Sequence, residues 1–194
     1  MGDMSRTNRE RTEQTQQALM TAARRLFIDR GYAETATPDI VSAAGVTRGA
    51  LYHHFEDKRA LFRAVIEQEA ERVAEEIESR SVDAPSPRDA LLSGASAYFD
   101  AMAVEGRTRL LLLEAPAVLG AEASAIDREN AEESLRRGLA ALLPTAVAQL
   151  GPLTALLSAA FDRAAIEIEQ GGVRRDYERA IASLLDGLAD HLRW

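Results

Sequence analysis

The chain has 194 residues and a formal net charge of −8 at pH 7, and 46% of its residues are apolar while 5% are aromatic. The length suits one domain or two small ones, and the apolar fraction is large enough for a packed core, which excludes wholesale disorder. Cysteine is absent, which excludes disulfides, thiolate metal sites and thiol nucleophiles. The sequence has no run of 18 apolar residues and begins with a polar segment, so we expect a cytoplasmic protein with no membrane span and no signal peptide.

The net charge conceals a division of the chain. Residues 1–60 carry a net charge of +1, whereas residues 61–194 carry a net charge of −9. DNA repels an acidic protein, so the total charge argues against nucleic acid as a partner, but the nearly neutral first third does not. The asymmetry indicates two parts with different partners.

The N-terminal part begins with polar residues 1–11, which include three arginines and are expected to form a flexible basic arm. From Thr12 to Arg30, apolar residues recur at three- and four-residue spacing, which predicts a helix. Gly31 is expected to end this helix, because glycine readily adopts the left-handed conformation after a last turn.

Two short helices are predicted next. The first has Thr37 as its N-cap and Pro38 as its first helical residue, and it ends before Gly45. The second has Thr47 as its N-cap and extends to about Phe55. Two short helices joined by a turn that contains glycine are typical of the helix-turn-helix motif.

The remaining sequence predicts further helices and no alternating strand pattern. The run of four leucines at 110–113 has the length of a buried strand, but leucine is not β-branched and no partner strand is evident, so a helix is favoured. The predicted helices cover about 58–79, with Asp57 as the cap, and then 88–104, 107–115, 122–143, 152–170 and 173–192. We therefore predict an all-α fold with about nine helices.

The second short helix carries the candidate DNA contacts. Leu51 and Phe55 lie four residues apart and should face inward, which leaves a glycine and alanine surface facing outward. Arg48 lies at the exposed N-terminal end, where a recognition helix reaches the bases, and its guanidinium group matches the O6 and N7 acceptors of guanine. Lys58 is either a solvated lysine or a phosphate contact, and its position beside the motif favours the contact. The candidate DNA-binding residues are Thr37, Thr47, Arg48, Gly49, Ala50, Tyr52, His53, His54 and Lys58.

The pattern Gly-Val-Thr-x-Gly-x-Leu-Tyr-x-His-Phe-x-x-Lys at residues 45–58 resembles the DNA-binding domain of TetR-family transcriptional regulators. The resemblance implies a three-helix helix-turn-helix domain over 12–57, followed by a helical ligand-binding and dimerisation domain over 58–194. It also implies a homodimer on a palindromic double-stranded DNA operator, usually a repressor that a small molecule releases. The effector is unidentified. By position, phosphates would be bound by Thr37, Tyr52, His54 and Lys58, and bases would face Arg48, Gly49, Ala50 and His53.

One departure limits what the resemblance implies. Arg48 occupies a position that family members often fill with lysine or another polar residue. The operator sequence therefore cannot be inferred from the family.

The last two predicted helices are the candidates for dimerisation. Each has an apolar stripe, the second of which extends to Leu192, and two such helices from each chain can form a four-helix interface. Periodicity alone leaves open the alternative that the stripes are core within one chain. The candidate interface residues are Leu153, Leu157, Phe161, Ala164, Ile181, Leu184, Leu185 and Leu188.

The effector pocket is expected between helices of the second domain. The candidates combine bulk with a few polar atoms, and the alternative for each is a simple core position. Glu114 follows four leucines, so it is a pocket residue, the ion-pair partner of Arg109 or a helix cap. The candidate pocket residues are Tyr98, Phe99, Met102, Arg109, Leu113, Glu114 and Phe161.

Two other classes of protein were weighed against a regulator. An enzyme is disfavoured because the sequence contains no His-Glu-x-x-His, no phosphate-binding glycine loop and no Gly-x-Ser-x-Gly, and we expect no cofactor or metal. His53 and His54 are adjacent on a helix, so they point about 100° apart and suit a single metal poorly. A helical protein-interaction module would have no need for Arg48 and Lys58 in this register.

Overall fold

A computed structural model describes the backbone of residues 3–191 and the side chains of residues 9–191. Every regular element in that range is a helix, so the prediction of an all-α fold is confirmed, with ten α-helices where about nine were expected. One π-helix, Arg109–Glu114, precedes the sixth α-helix. The α-helices are α1 (Asp3–Glu34), α2 (Thr37–Ala44), α3 (Arg48–His54), α4 (Lys58–Ser81), α5 (Pro87–Met102), α6 (Ala115–Leu119), α7 (Ala121–Glu129), α8 (Ala131–Leu142), α9 (Leu150–Glu169) and α10 (Arg174–His191).

The first helix is longer than predicted at both ends. It begins at Asp3, so it includes most of the segment expected to be an arm; the first two residues of that segment lie outside the described range. Helical geometry breaks at Gly31, where φ is +83°, as the sequence predicts. A Cβ at Gly31 would lie 2.9 Å from Arg109 Nη2 and 3.1 Å from Glu114 Oε1. The glycine therefore serves both the turn and the close approach of the π-helix.

The caps of the short helices agree with the sequence in three cases and differ in one. The prediction of Thr37 as an N-cap is wrong, because Ala36 holds that position and supplies no side-chain acceptor, while Thr37 is already helical. Thr47 and Asp57 cap α3 and α4, since each side chain accepts a backbone N–H of the first turn. Gly45 ends α2 in the left-handed conformation, with φ of +66°.

Two predicted boundaries are corrected by the structure. The helix expected over 122–143 is broken at Asn130, whose side chain donates a 2.7 Å hydrogen bond to the backbone oxygen of Ile126. Asparagine competes in this way with the helical hydrogen bonds. The helix expected to end near Pro116 continues to Leu119, because Pro116 lies in the first turn of α6, where its missing N–H costs little.

The helices enclose two apolar cores that share α4. Helices α1–α3, the N-terminal half of α4, the π-helix, α6 and α7 form the first core. The C-terminal half of α4 packs with α5, α8, α9 and α10 in the second core. None of the helices within residues 3–191 is long and apolar enough to cross a membrane.

A buried ionic cluster lies in α4 between the two cores. Glu69 is fully buried, and its carboxylate pairs with Arg24 of α1 at 3.0 Å, with Arg72 at 2.6 Å and with Arg107 at 2.9 Å. Arg107 is also buried, and it donates to Glu76 and to the backbone oxygen of residue 101. Burial opposes ionisation of Glu69, but hydrogen bonds from Arg24 and Arg107 lower the pKa of its carboxyl below the usual range. The cluster joins α1, α4 and the segment that leads into the π-helix.

Candidate nucleic-acid interface and internal cavities

The short helices α2 and α3 are held against α1 by apolar residues on one face. Ile40 of α2 and Leu51 of α3 are completely buried in the first core, and Phe55 closes the end of α3. The prediction that Leu51 and Phe55 point inward is confirmed. An ion pair of 2.9 Å between Arg30 and Asp39 joins the end of α1 to α2 on the surface. The outer face of α3 is therefore presented by a fixed scaffold.

The outward face of α3 and its cap presents the polar residues singled out from the sequence. Arg48, Gly49, Tyr52 and His53 are exposed, as is the cap Thr47. The guanidinium carbon of Arg48 lies 5.5 Å from the centre of the Tyr52 ring, a cation–π contact that limits the conformations of the arginine. The remaining candidates, Thr37, Ala50, His54 and Lys58, are half-buried.

Gly49 is not required by the packing of the protein. A Cβ built at this position would meet no atom closer than Thr47 Oγ1 at 3.9 Å, and the residue is helical and exposed. Alanine stabilises an exposed helix relative to glycine. The missing side chain therefore flattens the exposed surface without serving the fold.

Lys58 makes contacts that the sequence did not predict. Its Nζ donates hydrogen bonds to the backbone oxygens of Tyr32 at 2.8 Å and Thr35 at 2.9 Å, and it lies 4.2 Å from the centre of the Tyr32 ring. An ammonium group has three protons, and these bonds use two of them. Lys58 thus connects the start of α4 to the end of α1.

Two internal cavities of about 290 and 280 Å³ lie among the helices of the second part. Of the predicted pocket residues, Tyr98 lines both cavities, Phe161 lines the first and Met102 lines the second. Phe99 lies instead in the second core, against Phe161. The structure therefore brings together three of the seven candidates.

The other three pocket candidates lie at the π-helix. Glu114 accepts a hydrogen bond of 2.7 Å from the backbone N–H of Tyr32 and pairs with Arg109 at 2.9 Å, which agrees with the ion-pair alternative. Leu113 is half exposed on the surface. These residues link the π-helix to the end of α1 rather than line a cavity.

The predicted dimer residues separate into two groups. Leu153 and Leu188 are half-buried and Leu184 is exposed, so these three remain accessible. The other five are core residues of the same chain because periodicity could not distinguish the inner face of each helix from the outer one: Leu157, Phe161, Ala164, Ile181 and Leu185. Leu192, the end of the second stripe, lies outside the described residues.

Two acidic residues that the sequence analysis missed line both cavities. Asp127 and Asp162 each interrupt an otherwise apolar face of a helix, α7 and α9, and that pattern was the available signal. Asp162 accepts a 2.7 Å hydrogen bond from the Tyr98 hydroxyl, and Ser158 contacts Asp127 at 3.4 Å. Across the part of the chain that the structure describes, no group of three or more histidine and acidic side chains is arranged to hold a metal ion.

Comparison with known proteins gives matches to both parts of the chain. The family model described as "Bacterial regulatory proteins, tetR family" matches residues 19–65, and the one described as "Tetracyclin repressor-like, C-terminal domain" matches residues 88–192. A crystal structure of a TetR-family transcriptional regulator from Pectobacterium atrosepticum is 31% identical and superimposes with a TM-score of 0.72, over 95% of this chain and 96% of that one.

Curated relatives match mainly the N-terminal part. The transcriptional regulator AcrR of Shigella flexneri is 34% identical over 110 residues, which are 56% of this chain and 51% of AcrR. The repressor BepR of Brucella suis is 36% identical over 110 residues, 56% of this chain and 52% of BepR. The chain thus spans about half the length of the curated relatives it matches.

The exposed recognition helix and these matches together define a DNA-binding transcriptional regulator. The chain belongs to the TetR family, whose members are regulators and not enzymes.

Proposed function

We propose that the protein is a repressor that binds a palindromic operator as a homodimer and is released by a small-molecule effector. The observation that carries the proposal is the exposed face of α3, where Arg48 lies against Tyr52 and beside the bare surface at Gly49. Arginine at the N-terminal end of a recognition helix is suited to the acceptors of guanine in the major groove. The repressor role is supported by the relative BepR, which is described as a repressor.

Two recognition helices would be presented by a dimer formed through α9 and α10. Their outer faces carry exposed leucines, Leu156 and Leu184, together with the small residues Ala180, Ser183 and Gly187. Small residues permit close approach of helices, and the leucines provide apolar area to bury. In such a dimer the heads would contact successive major grooves about 34 Å apart.

Release would be transmitted by the π-helix. Leu111 and Leu112 line the second cavity, and Glu114 of the same element binds the backbone N–H of Tyr32 at the end of α1. A ligand that displaced this wall would move the acceptor that fixes α1, and with it the head. It releases DNA only if it prefers the conformation that does not fit the operator.

The operator would be identified by selecting genomic fragments that the purified protein binds. We expect a near-palindromic sequence to be enriched, and this sequence then serves in every measurement below. Enrichment of no palindrome would contradict the proposal at its centre.

Replacing Arg48 by alanine is expected to weaken operator binding by about 1–3 kcal/mol and to relax the preference at one base position in each half-site. The physical reason is the loss of a guanidinium that accepts no substitute at a guanine. Binding is measured against a set of operators with single base changes. Arg136→Ala, which removes an equal charge from the exposed surface of α8, is the control and should leave the base preferences unchanged. A uniform loss on all operators would make Arg48 a phosphate contact.

Replacing Lys58 by methionine, which keeps most of the stem, is expected to have two effects. The salt dependence of DNA binding should fall by roughly one charge, because one phosphate contact is lost in each head. The free energy of unfolding should also fall by about 1.5–3 kcal/mol, because two backbone oxygens lose a charged donor. Salt titrations and urea unfolding separate the two, and an unchanged salt slope would leave Lys58 with only its structural contacts.

A further inference from the structure

The wall between the two cavities carries a negative charge that no basic group in it balances. Tyr98, Asp127, Ser158 and Asp162 line both cavities. Their mutual contacts involve only neutral donors, because the hydroxyl of Tyr98 binds Asp162 and that of Ser158 lies near Asp127. A carboxylate in such a place is costly unless a cation accompanies it.

The basic residues near the cavities are occupied or turned outward. Arg137, at the edge of the first cavity, pairs with Glu78. Within the described residues, the charged side chains that line the second cavity are all acidic: Asp127, Glu132 and Asp162. The nearby Arg128 of α7 is exposed. Neither cavity wall therefore supplies the positive charge that the two aspartates lack.

The rest of the lining is apolar and includes an aromatic pair. The rings of Tyr98 and Phe161 pack edge to face, with centres 5.6 Å apart, in the wall of the first cavity. The second cavity is bordered by Leu111 and Leu112 of the π-helix and by Ile66 of α4. A volume near 290 Å³ admits a small ligand with an apolar body, and its polar contacts would come from the acidic wall.

We propose that these cavities bind an organic monocation, an ammonium group with an apolar tail, and that the ammonium lies between Asp127 and Asp162. The inference rests on the proposed effector-dependent function and names the chemical class of the effector. The ammonium supplies the missing charge, the tail occupies the apolar cavity, and the faces of Tyr98 and Phe161 favour a cation further. The same ligand would touch the π-helix wall that is joined to α1 through Glu114.

The titration of the wall supports this assignment. Burial, with the neighbouring charges of Asp162 and Glu132, raises the pKa of Asp127 to about 7, against smaller opposing effects of Ser158 and Arg128. Burial also raises the pKa of Asp162, although the hydrogen bond from Tyr98 opposes this. Glu78 and Arg137 are the other charged groups at the first cavity, and they neutralise each other. A bound cation favours the ionised form of Asp127, so binding should strengthen as the pH rises through about 7.

The experiment measures calorimetric binding of three probes with the same tail to the whole protein: octylammonium, 1-octanol and octanoate. We expect octylammonium to bind about tenfold or more tightly than either of the others, because only it makes charge-assisted hydrogen bonds with the wall. Asp127→Asn and Asp162→Asn should each weaken octylammonium by about tenfold or more and leave octanol unchanged. Glu129→Gln removes the same charge from an exposed position of α7 and is the matched control, with no expected change.

The pH provides a second measurement on the unaltered protein. Between pH 8 and pH 6 the affinity for octylammonium should fall by about tenfold, because Asp127 takes up a proton while an alkylammonium, like lysine, stays charged. Equal binding of octylammonium and octanol at both pH values would overturn the inference, as would no binding of octylammonium. These results need no variant, so a variant that fails to fold does not affect them.

Binding of the selected operator is measured in the same samples. Preference for octylammonium that depends on Asp127 and Asp162 supports the inference, and a matching loss of operator affinity supports release. The same preference without any effect on the operator would support the ligand class and contradict the release step. Operator binding with no preference for the cation would overturn the inference and leave the DNA-binding proposal standing.

Discussion

Replacing Glu69 by alanine is expected to lower the free energy of unfolding by about 3–5 kcal/mol. The loss comes less from the carboxylate than from what it leaves behind, because Arg107 is buried with it and would lose its nearest countercharge. Arg24 would also lose its partner, and with it the ionic contact between α1 and α4. The change is measured by urea unfolding at pH 7, where the carboxyl is ionised.

The matched control is Glu67→Ala, on the same helix. Glu67 pairs with Arg63 four residues away, and both side chains are largely exposed, so a change of about 0.5 kcal/mol or less is expected. If both variants lost the same small amount, the buried cluster would contribute no more than a surface pair.

Acid provides an independent test of the same cluster. The pKa of Glu69 is lower in the folded protein than its ordinary value of 4.5. Its contribution to stability is therefore complete above pH 4.5 and is lost as the pH falls through the lower folded value. Stability of the alanine variant should decline less steeply below that pH than stability of the unaltered protein.

The second large effect is expected from a charge placed on the outer face of α10. Leu184→Glu should convert the proposed dimer to a monomer, because a carboxylate would have to be buried between the copies without a partner. Binding to the full operator should then weaken by about 10²–10⁴-fold, since each head binds its half-site without the other. Ultracentrifugation gives the oligomeric state, and titration of operator DNA gives the affinity.

The fold should survive this change, because Leu184 is half exposed in the single chain. Leu113→Glu, at a leucine of similar exposure on the π-helix, is the control and should leave the oligomeric state unaltered. A Leu184→Glu variant that remained a dimer with full affinity would exclude the α10 face from the interface.

The N-terminal part is the better predicted half because its signals are local. Gly45, Thr47 and Asp57 act on the nearest turn of backbone, and each ends or begins a helix where the sequence indicates. Thr37 was misplaced by one residue as a cap, since proline in the second position suits either register. The exposed face of α3 likewise follows from spacing within a single helix.

The second part depends on contacts between distant segments. Apolar stripes on α9 and α10 are real, but which side faces the chain's own core depends on α5 and α8, and no periodicity contains that information. The pairing of Glu69 with Arg107 spans 38 residues, and Glu114 reaches Tyr32 across 82. Such partners are fixed by topology, so the cavity wall and the ionic cluster emerge only from the structure.

The course of α4 through both cores determines how far the protein is modular. Leu61, Phe62 and Val65 are buried against the residues of α1–α3 although they follow the helix-turn-helix in the sequence. A fragment cut at residue 57 would expose Phe27, which packs on the Phe62 ring at 5.1 Å. A portable operator-reading unit, for grafting onto another sensor, must therefore carry the first half of α4 and a substitute for the π-helix wall. In evolution as in engineering, the natural place to exchange sensors lies beyond residue 70.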